Sequence, residues 1–342
     1  MQALAIKYRP KTFDDVTEQE GIKIILKQQL ELDSVQHSYL FVGGAGTGKT
    51  TTARIFASEI NKGEGNPIEL DAASNNSVDD MRDLIQQAQT KSLSSKYKVF
   101  IIDECHMITT QGWNAILKLI EEPPALSIFI FCTTDPQKIP KTILSRVQRY
   151  DFQRISQQGI VQRLLYICQM EGIRFSVKSD AVEYLAKIAD GGMRDAITLM
   201  DKCLAYSSEL TLENVVEALG TVNYKRMIEL TDAVIENNMQ DVITIIESIH
   251  ADGKDLKQFV KQYTHFLLDV QKYFIGCDWK YISIPKLAEY EEWLDSCGDF
   301  EDGITHRLLE MCVKLNAEIK YSSTARLDIE TAFMIEFAGE KE

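Results

Sequence analysis

Four short apolar runs punctuate the first part of the chain: "YLFVGG" (39–44), "PIELDAA" (67–73), "KVFIIDE" (98–104) and "SIFIFCTT" (127–134). Several are bounded by Gly, Pro or polar residues, and each has the length of a buried strand. The stretches between them repeat apolar residues at helical spacing. That alternation predicts βαβ units, a parallel sheet covered by helices on both faces. A last short run, "RYDF" (149–152), closes this part.

After about residue 155 the strand signals stop. "QQGIVQRLLYICQMEG" (157–172), "SVKSDAVEYLAKIADGG" (176–192) and "MRDAITLMDKCLAY" (193–206) have helical period. "TLENVVEALG" (211–220) opens with a Thr cap, carries Glu213 in its first turn and ends in a C-terminal Gly. The expected fold class is therefore α/β followed by all-α. Its parts are an α/β domain at 1–154, a small helical domain at 155–220, and a helical domain at 221–342 where acids become more common.

Composition changes this picture little. Among 342 residues, 45% are hydrophobic and 26% charged, as in soluble globular chains. The N-terminus "MQALAIKYRP" lacks the long apolar core of a secretion signal, and no run reaches the ~18 residues a bilayer span needs. A cytoplasmic protein without membrane contact is expected. The seven cysteines form no C-x-x-C pair, which argues against a zinc ribbon or a disulfide framework. Most of them read as small buried apolar residues. Net charge is −14, split as −4 over residues 1–220 and −10 over 221–342. Generic phosphate-backbone affinity is built from Lys and Arg, so any DNA contact is expected from a local patch or through partners.

Candidate chemistry sharpens the first domain. "GGAGTGKT" (43–50) fits G-x-x-x-x-G-K-[ST] and stands between a strand and a helix. Glycines let backbone N–H groups wrap phosphates at a helix N-terminus. Lys49 is expected to reach the β- and γ-phosphates, and Thr50 to ligate Mg²⁺. Some 50 residues on, "VFIIDE" ends an apolar strand in acid. Asp103 is expected to hold Mg²⁺, directly or through water, and Glu104 to polarise the attacking water. The plainer reading has both acids capping the following helix.

The tetrad Asp103-Glu104-Cys105-His106 also fits a DExH helicase. Such a motor needs a second parallel-sheet domain, whereas the second half here is helical. His106 then reads as a structural side chain at a strand exit. "NAILKLIEEPP" (114–124) is an amphipathic helix stopped by two prolines, and "FCTTDPQKIPKTILSR" (131–146) places Thr133 and Thr134 at a strand end.

"IKYRPKTFDDV" (6–16), "GAGTGKTTTAR" (44–54), "ELDAAS" (69–74), "IIDECHM", "LIEEPP", "TTDPQKIPKTILSR" and "GGMRDA" (191–196) occur in this order. Together they resemble the γ/τ-type subunits of bacterial DNA polymerase III, AAA+ clamp-loader ATPases, over at least residues 1–200. The resemblance implies ATP with Mg²⁺, bound by Tyr8, Arg9 and Pro10 along the base and by Gly43, Gly46, Thr47, Gly48, Lys49, Thr50 and Thr51 at the phosphates. It implies Thr134 as sensor 1, Arg146 as an arginine finger acting in trans on a neighbour's ATP, and Arg194 as sensor 2. A guanidinium supplied across an interface makes hydrolysis depend on assembly.

Three departures stand out. The family's four-cysteine zinc module is replaced by "INKGEGNPIEL" (60–70), so no zinc is expected. The usual Ser-Arg-Cys reads Ser145-Arg146-Val147, a packing swap. The chain ends at Glu342 without the long τ-type extension, as a γ-length, shortened or divergent phage-type version would. The segments that track duplex phosphates in the family read "SNNSVDDMR" (74–82) and "TTQGW" (109–113), with Arg82 their one cation; ordinary helix caps fit them as well.

The function expected is ATP-driven opening of a sliding clamp and its loading onto primer–template DNA. The expected partners are other clamp-loader subunits in a pentameric assembly joined by a helical collar at 221–342, together with the clamp and the DNA. A branch-migration AAA+ motor, a replication factor C-like loader and an assembly subunit that binds ATP without hydrolysing it are the alternatives.

Overall fold

The structure, a computed structural model, describes residues 2–92, 94–175, 180–219, 224–253, 255–297 and 303–337. It divides into two compact units, Met1–Glu209 and Leu210–Glu342.

In the first unit five parallel strands, β1 (Ser38–Val42), β2 (Ile68–Asp71), β3 (Lys98–Asp103), β4 (Ser127–Thr133) and β5 (Gln148–Asp151), lie in the order β2-β3-β4-β1-β5. The apolar runs become strands because both faces of the sheet are covered. Successive side chains point to opposite faces. Tyr39, Phe41, Val99, Ile101, Ile128 and Ile130 enter one core with α2 (Glu20–Glu31) and α3 (Lys49–Ile60). Leu40, Val42, Phe100, Ile102, Phe129 and Phe131 enter the other, with α4 (Val78–Gln89) and α5 (Thr110–Glu121). Phe100 stacks on Phe129 across β3 and β4, centroids 5.2 Å apart. Burying such a ring contributes roughly 1.5–3 kcal/mol. The edge strand β2 alternates half-buried and exposed positions, as an uncovered edge should.

Both segments weighed for DNA contact form helix caps. Ser77 and Asp80 make a reciprocal capping box at the start of α4, and Thr109 Oγ1 accepts from Gly112 N (3.1 Å) at the start of α5. Asn76 O takes both the N–H (3.3 Å) and the hydroxyl (3.2 Å) of Thr109, tying the two helix starts together. Arg82 pairs with Asp79 at 2.8 Å.

A four-residue helix α1 (Leu4–Lys7) precedes this core, and α6 (Lys141–Leu144) joins β4 to β5. Then follow α7 (Gln157–Glu171), α8 (Asp180–Ile188) and α9 (Met193–Tyr206). Two strands of two residues each, β6 (Arg174–Phe175) and β7 (Glu209–Leu210), correct the reading that strands end at 155. Two residues are too few to show a period.

The second unit is helical. Among its described residues after Leu210 are α10 (Leu212–Leu219), α11 (Tyr224–Ile235), α12 (Met239–Ala251), α13 (Leu256–Phe274), α14 (Ala288–Cys297), α15 (Ile304–Glu318) and α16 (Ala325–Phe337). Leu230, Ile246, Leu267, Leu308 and Ile329 are fully buried at its core. Thr211 Oγ1 accepts from Asn214 N (3.2 Å), the cap read from the sequence; the C-terminal Gly220 lies outside the described residues.

Cys105, Cys132, Cys168, Cys203 and Cys312 are buried free thiols, and burial raises the pKa of each, to about 11 for Cys168 and Cys203. Among the described residues, no helix is long and apolar enough to cross a membrane.

Candidate functional site

Strand β1 ends at Val42 and delivers the chain into the loop 43–48, which enters α3 at Lys49. Gly46 (φ +71°) and Gly48 (φ +99°) adopt left-handed conformations that L side chains resist. The first helical hydrogen bond runs from Thr52 N to Gly48 O (2.8 Å). The N–H groups of Lys49, Thr50 and Thr51 are therefore first-turn donors without an intrahelical acceptor. Thr47 Oγ1 donates to Gly44 O (2.9 Å), and Lys49 Nζ donates to Gly43 O (2.8 Å) and Gly44 O (2.7 Å). The ammonium is thus held against the loop it serves. Burial pulls its pKa down, and the charges of Glu104 and Asp103 work the other way.

The acidic exit of β3 lies beside this loop. Thr50 Oγ1 donates to Asp103 Oδ2 at 2.8 Å. Glu104 sits at φ +46°, costly for a residue with a side chain, and its N–H is taken up by Asp103 Oδ1 (3.0 Å). Its Oε2 accepts from Thr134 Oγ1 (2.8 Å) and Thr134 N (3.3 Å) at the exit of β4. Neither acid caps the next helix: a short turn at Cys105–Met107 intervenes, and α5 is capped by Thr109.

The helices after β5 close the cleft from the other side. A Cβ on Gly46 would stand 2.9 Å from Gly192 Cα and 3.1 Å from Gly192 C, and Met193 N donates to Gly46 O (3.1 Å). Arg194, in the first turn of α9, lines the cleft with Tyr8, Arg9 and Pro10. Arg163 donates to Tyr8 O (2.8 Å), and the Tyr8 hydroxyl donates to Glu171 Oε1. The cleft encloses about 640 Å³, within the usual range for small-molecule sites.

These contacts fit a nucleoside triphosphate with a divalent cation. Gly46 lets the loop sit against Gly192 at the cleft wall, first-turn N–H donors suit anionic oxygens, and Thr50 with Asp103 presents the hard oxygen ligands that Mg²⁺ takes.

Gly46→Ala should accordingly cost about 1–2 kcal/mol of folding stability, since it combines a strained φ with a backbone clash. Gly44→Ala, whose Cβ would meet nothing closer than 3.8 Å, should leave the denaturation midpoint nearly unchanged. Chemical denaturation of the pair is the check.

Most of the sequence-derived positions converge here: Tyr8, Arg9, Pro10, Gly46, Thr47, Gly48, Lys49, Thr50, Thr51, Asp103, Glu104 and Arg194 all line the cleft. Gly43 meets Lys49 through its carbonyl, and Thr134 reaches the site through Glu104. Arg146 is not among the lining residues. Its guanidinium bonds Glu121 Oε1 (2.7 Å), Thr142 O (2.7 Å) and Ser145 Oγ (3.0 Å) on the surface. Val147 packs against the core beneath α5, so the departure from Ser-Arg-Cys keeps an apolar residue there.

Two cleft-lining side chains were not singled out in the sequence. Arg163 lines the cleft from α7, and Arg54 lines it while forming a two-pronged pair with Glu69 of β2 (2.7 and 2.5 Å). His106, read as structural, touches Glu104. Helical period marks α7 and α3 but does not show which polar residue faces a ligand.

Comparisons with known proteins agree along the chain. Residues 60–156 match the family described as DNA polymerase III, delta subunit. Residues 159–209 match the DNA polymerase III clamp loader subunit ATPase lid domain, and 210–334 match domain III of the DNA polymerase III subunits gamma and tau. The DNA polymerase III subunit tau of Bacillus subtilis is 34% identical over 353 residues, covering 97% of this chain and 62% of that protein. The tau subunit of Escherichia coli is 35% identical over 74% of this chain and 42% of its own length. The gamma/tau subunit of Mycobacterium tuberculosis is 37% identical over 75% and 48%. The chain thus spans about half the length of these relatives. Among solved structures, the Holliday junction branch migration motor RuvB of Thermotoga maritima superposes with a TM-score of 0.53 at 20% identity, covering 67% of this chain and 80% of that one. This likeness is one of fold, the AAA+ arrangement.

Proposed function

The chain belongs to the gamma/tau family of DNA polymerase III clamp-loader subunits, and from that membership we propose that it hydrolyses ATP to open a sliding clamp and load it onto primer–template DNA. The observation that carries the ATPase part is the side-by-side placement of Thr50–Asp103 and Glu104–Thr134 at the mouth of the phosphate loop.

Thr50 and Asp103 would hold Mg²⁺, which when bound neutralises charge building on the phosphates. Lys49 and the first-turn N–H groups of α3 would grip the phosphate oxygens, and Tyr8, Arg9 and Pro10 would flank the base. Glu104 would take the proton of the attacking water. Thr134 would fix that carboxylate and register the γ-phosphate, while Arg194 would couple the lid to the phosphates.

Arg146 lies outside its own chain's cleft, so the site it can complete is a neighbour's. ATP binding would hold the lid against the loop, where Met193 N meets Gly46 O, and bring Arg146 to the next subunit. We read 1–154 as the ATPase domain, 155–220 as the lid and 221–342 as the collar. With a net charge of −10, that last segment would join its copies by apolar burial rather than attraction.

Supporting this reading over branch migration, sequence relatedness runs to clamp-loader subunits, whereas the RuvB likeness extends to fold alone. ATP turnover should rise strongly with the cognate clamp and primed DNA together and little with either alone. Stimulation by Holliday junctions in their place would favour the branch-migration motor.

A further inference from the structure

His106 follows the acidic strand end, and the proposed hydrolysis leaves it without a part. Its ring is nearly buried, with 12% of the side chain exposed. Nδ1 stands 3.2 Å from Glu104 Oε2 and 3.1 Å from Thr133 Oγ1. The contact with Thr133 is the hydrogen bond and that with Glu104 an ion-pair distance; since an ionised carboxylate can only accept, Nδ1 can serve Oε2 only as a donor whose proton is shared with Thr133 Oγ1. Thr133 Oγ1 also accepts from Asp135 N (3.0 Å), which fixes the hydroxyl that His106 meets. With the two bonds from Thr134, Oε2 is the anchored oxygen of the carboxylate, and Oε1 is left to serve the cleft that Glu104 lines.

We propose that His106 is a positioning residue for hydrolysis: its Nδ1–H, braced by Thr133, pins Oε2 of Glu104 so that Oε1 is presented to the attacking water. This rests on Glu104 being the general base. A carboxylate on a flexible side chain visits many rotamers, and each anchor removes some that point away from the reacting water. Thr134 supplies one anchor from β4. His106 supplies the second from the turn after β3.

The role is that of a donor at one ring atom, so the choice of substitutions is decisive. Asn places an amide N–H near the position of Nδ1, whereas Leu fills the space and donates nothing. His106→Leu should lower kcat for clamp- and DNA-stimulated ATP hydrolysis about tenfold with KM for ATP within twofold of the parent, and His106→Asn should recover most of that loss. If Leu and Asn variants turn over alike, or if the loss falls on KM, the proposal is overturned. A readout free of turnover is the ring's own state: ¹⁵N spectra of the histidine side chains at pH 8 should show His106 as the Nδ1–H tautomer. An Nε2–H tautomer would also overturn it. Glu104→Gln separates the two levels, because unchanged turnover there removes the base itself, whereas collapse there with a normal His106→Leu removes only the positioning role.

Discussion

Glu104→Gln should reduce ATP turnover by about a hundredfold or more, the usual contribution of a general base, while leaving ATP affinity nearly intact. The substitution conserves shape. The Gln carbonyl oxygen can still accept from Thr134 Oγ1 and Thr134 N, which hold Glu104 at 2.8 and 3.3 Å. What is lost is the charge, and with it a basic oxygen beside the phosphate loop. Binding should persist because the groups that would grip the phosphates, Lys49 and the start of α3, are untouched. Of the two carboxylates that counter burial at the Lys49 ammonium, Asp103 remains. Single-turnover hydrolysis measured beside equilibrium ATP binding is the check, and undiminished turnover would remove Glu104 as the base.

Arg146→Ala is the second. On the proposed role of Arg146 in a neighbour's site, its removal should lower clamp- and DNA-stimulated hydrolysis by a factor on the order of 10³. ATP binding to the isolated chain should not change, since Arg146 does not line that chain's cleft. Its present partner is a weak competitor: the pair with Glu121 leaves 37% and 40% of the two side chains exposed, and such pairs are typically worth ~0.2–1 kcal/mol. Leaving Glu121 for a triphosphate therefore costs little. Complementation gives the sharper result. Mixed assemblies of Arg146→Ala and Lys49→Ala chains should regain activity, because some interfaces pair an intact Lys49 with an intact Arg146. No regain on mixing would mean that Arg146 does not act across an interface.

The expectations that held share a physical character: each rests on residues close together in the chain. The parallel sheet was legible because strands covered on both faces are buried at every position, as β1 and β4 are, and so read as nearly continuous apolar runs. The phosphate loop was legible because its glycines, lysine and threonine must follow one another to wrap one anion. The helix Met193–Tyr206 was legible from its period alone. The two-residue strands β6 and β7 were not, since nothing repeats in two residues.

What the chain determines by itself is the set of groups that can act: a glycine-rich loop before a helix, a threonine hydroxyl, two carboxylates at a strand end and several guanidinium groups. Which of them meet was decided only in three dimensions. The order β3-β4-β1 sets the exits of these strands side by side, and so brings Thr134 to Glu104 and Thr50 to Asp103, while the packing of the helices after β5 sets Gly46 against Gly192. The same packing leaves Arg146 on the outside with Glu121. Spacing along a chain specifies local conformation, whereas contacts between residues 30 to 150 apart depend on strand order and helix packing, which no single segment encodes.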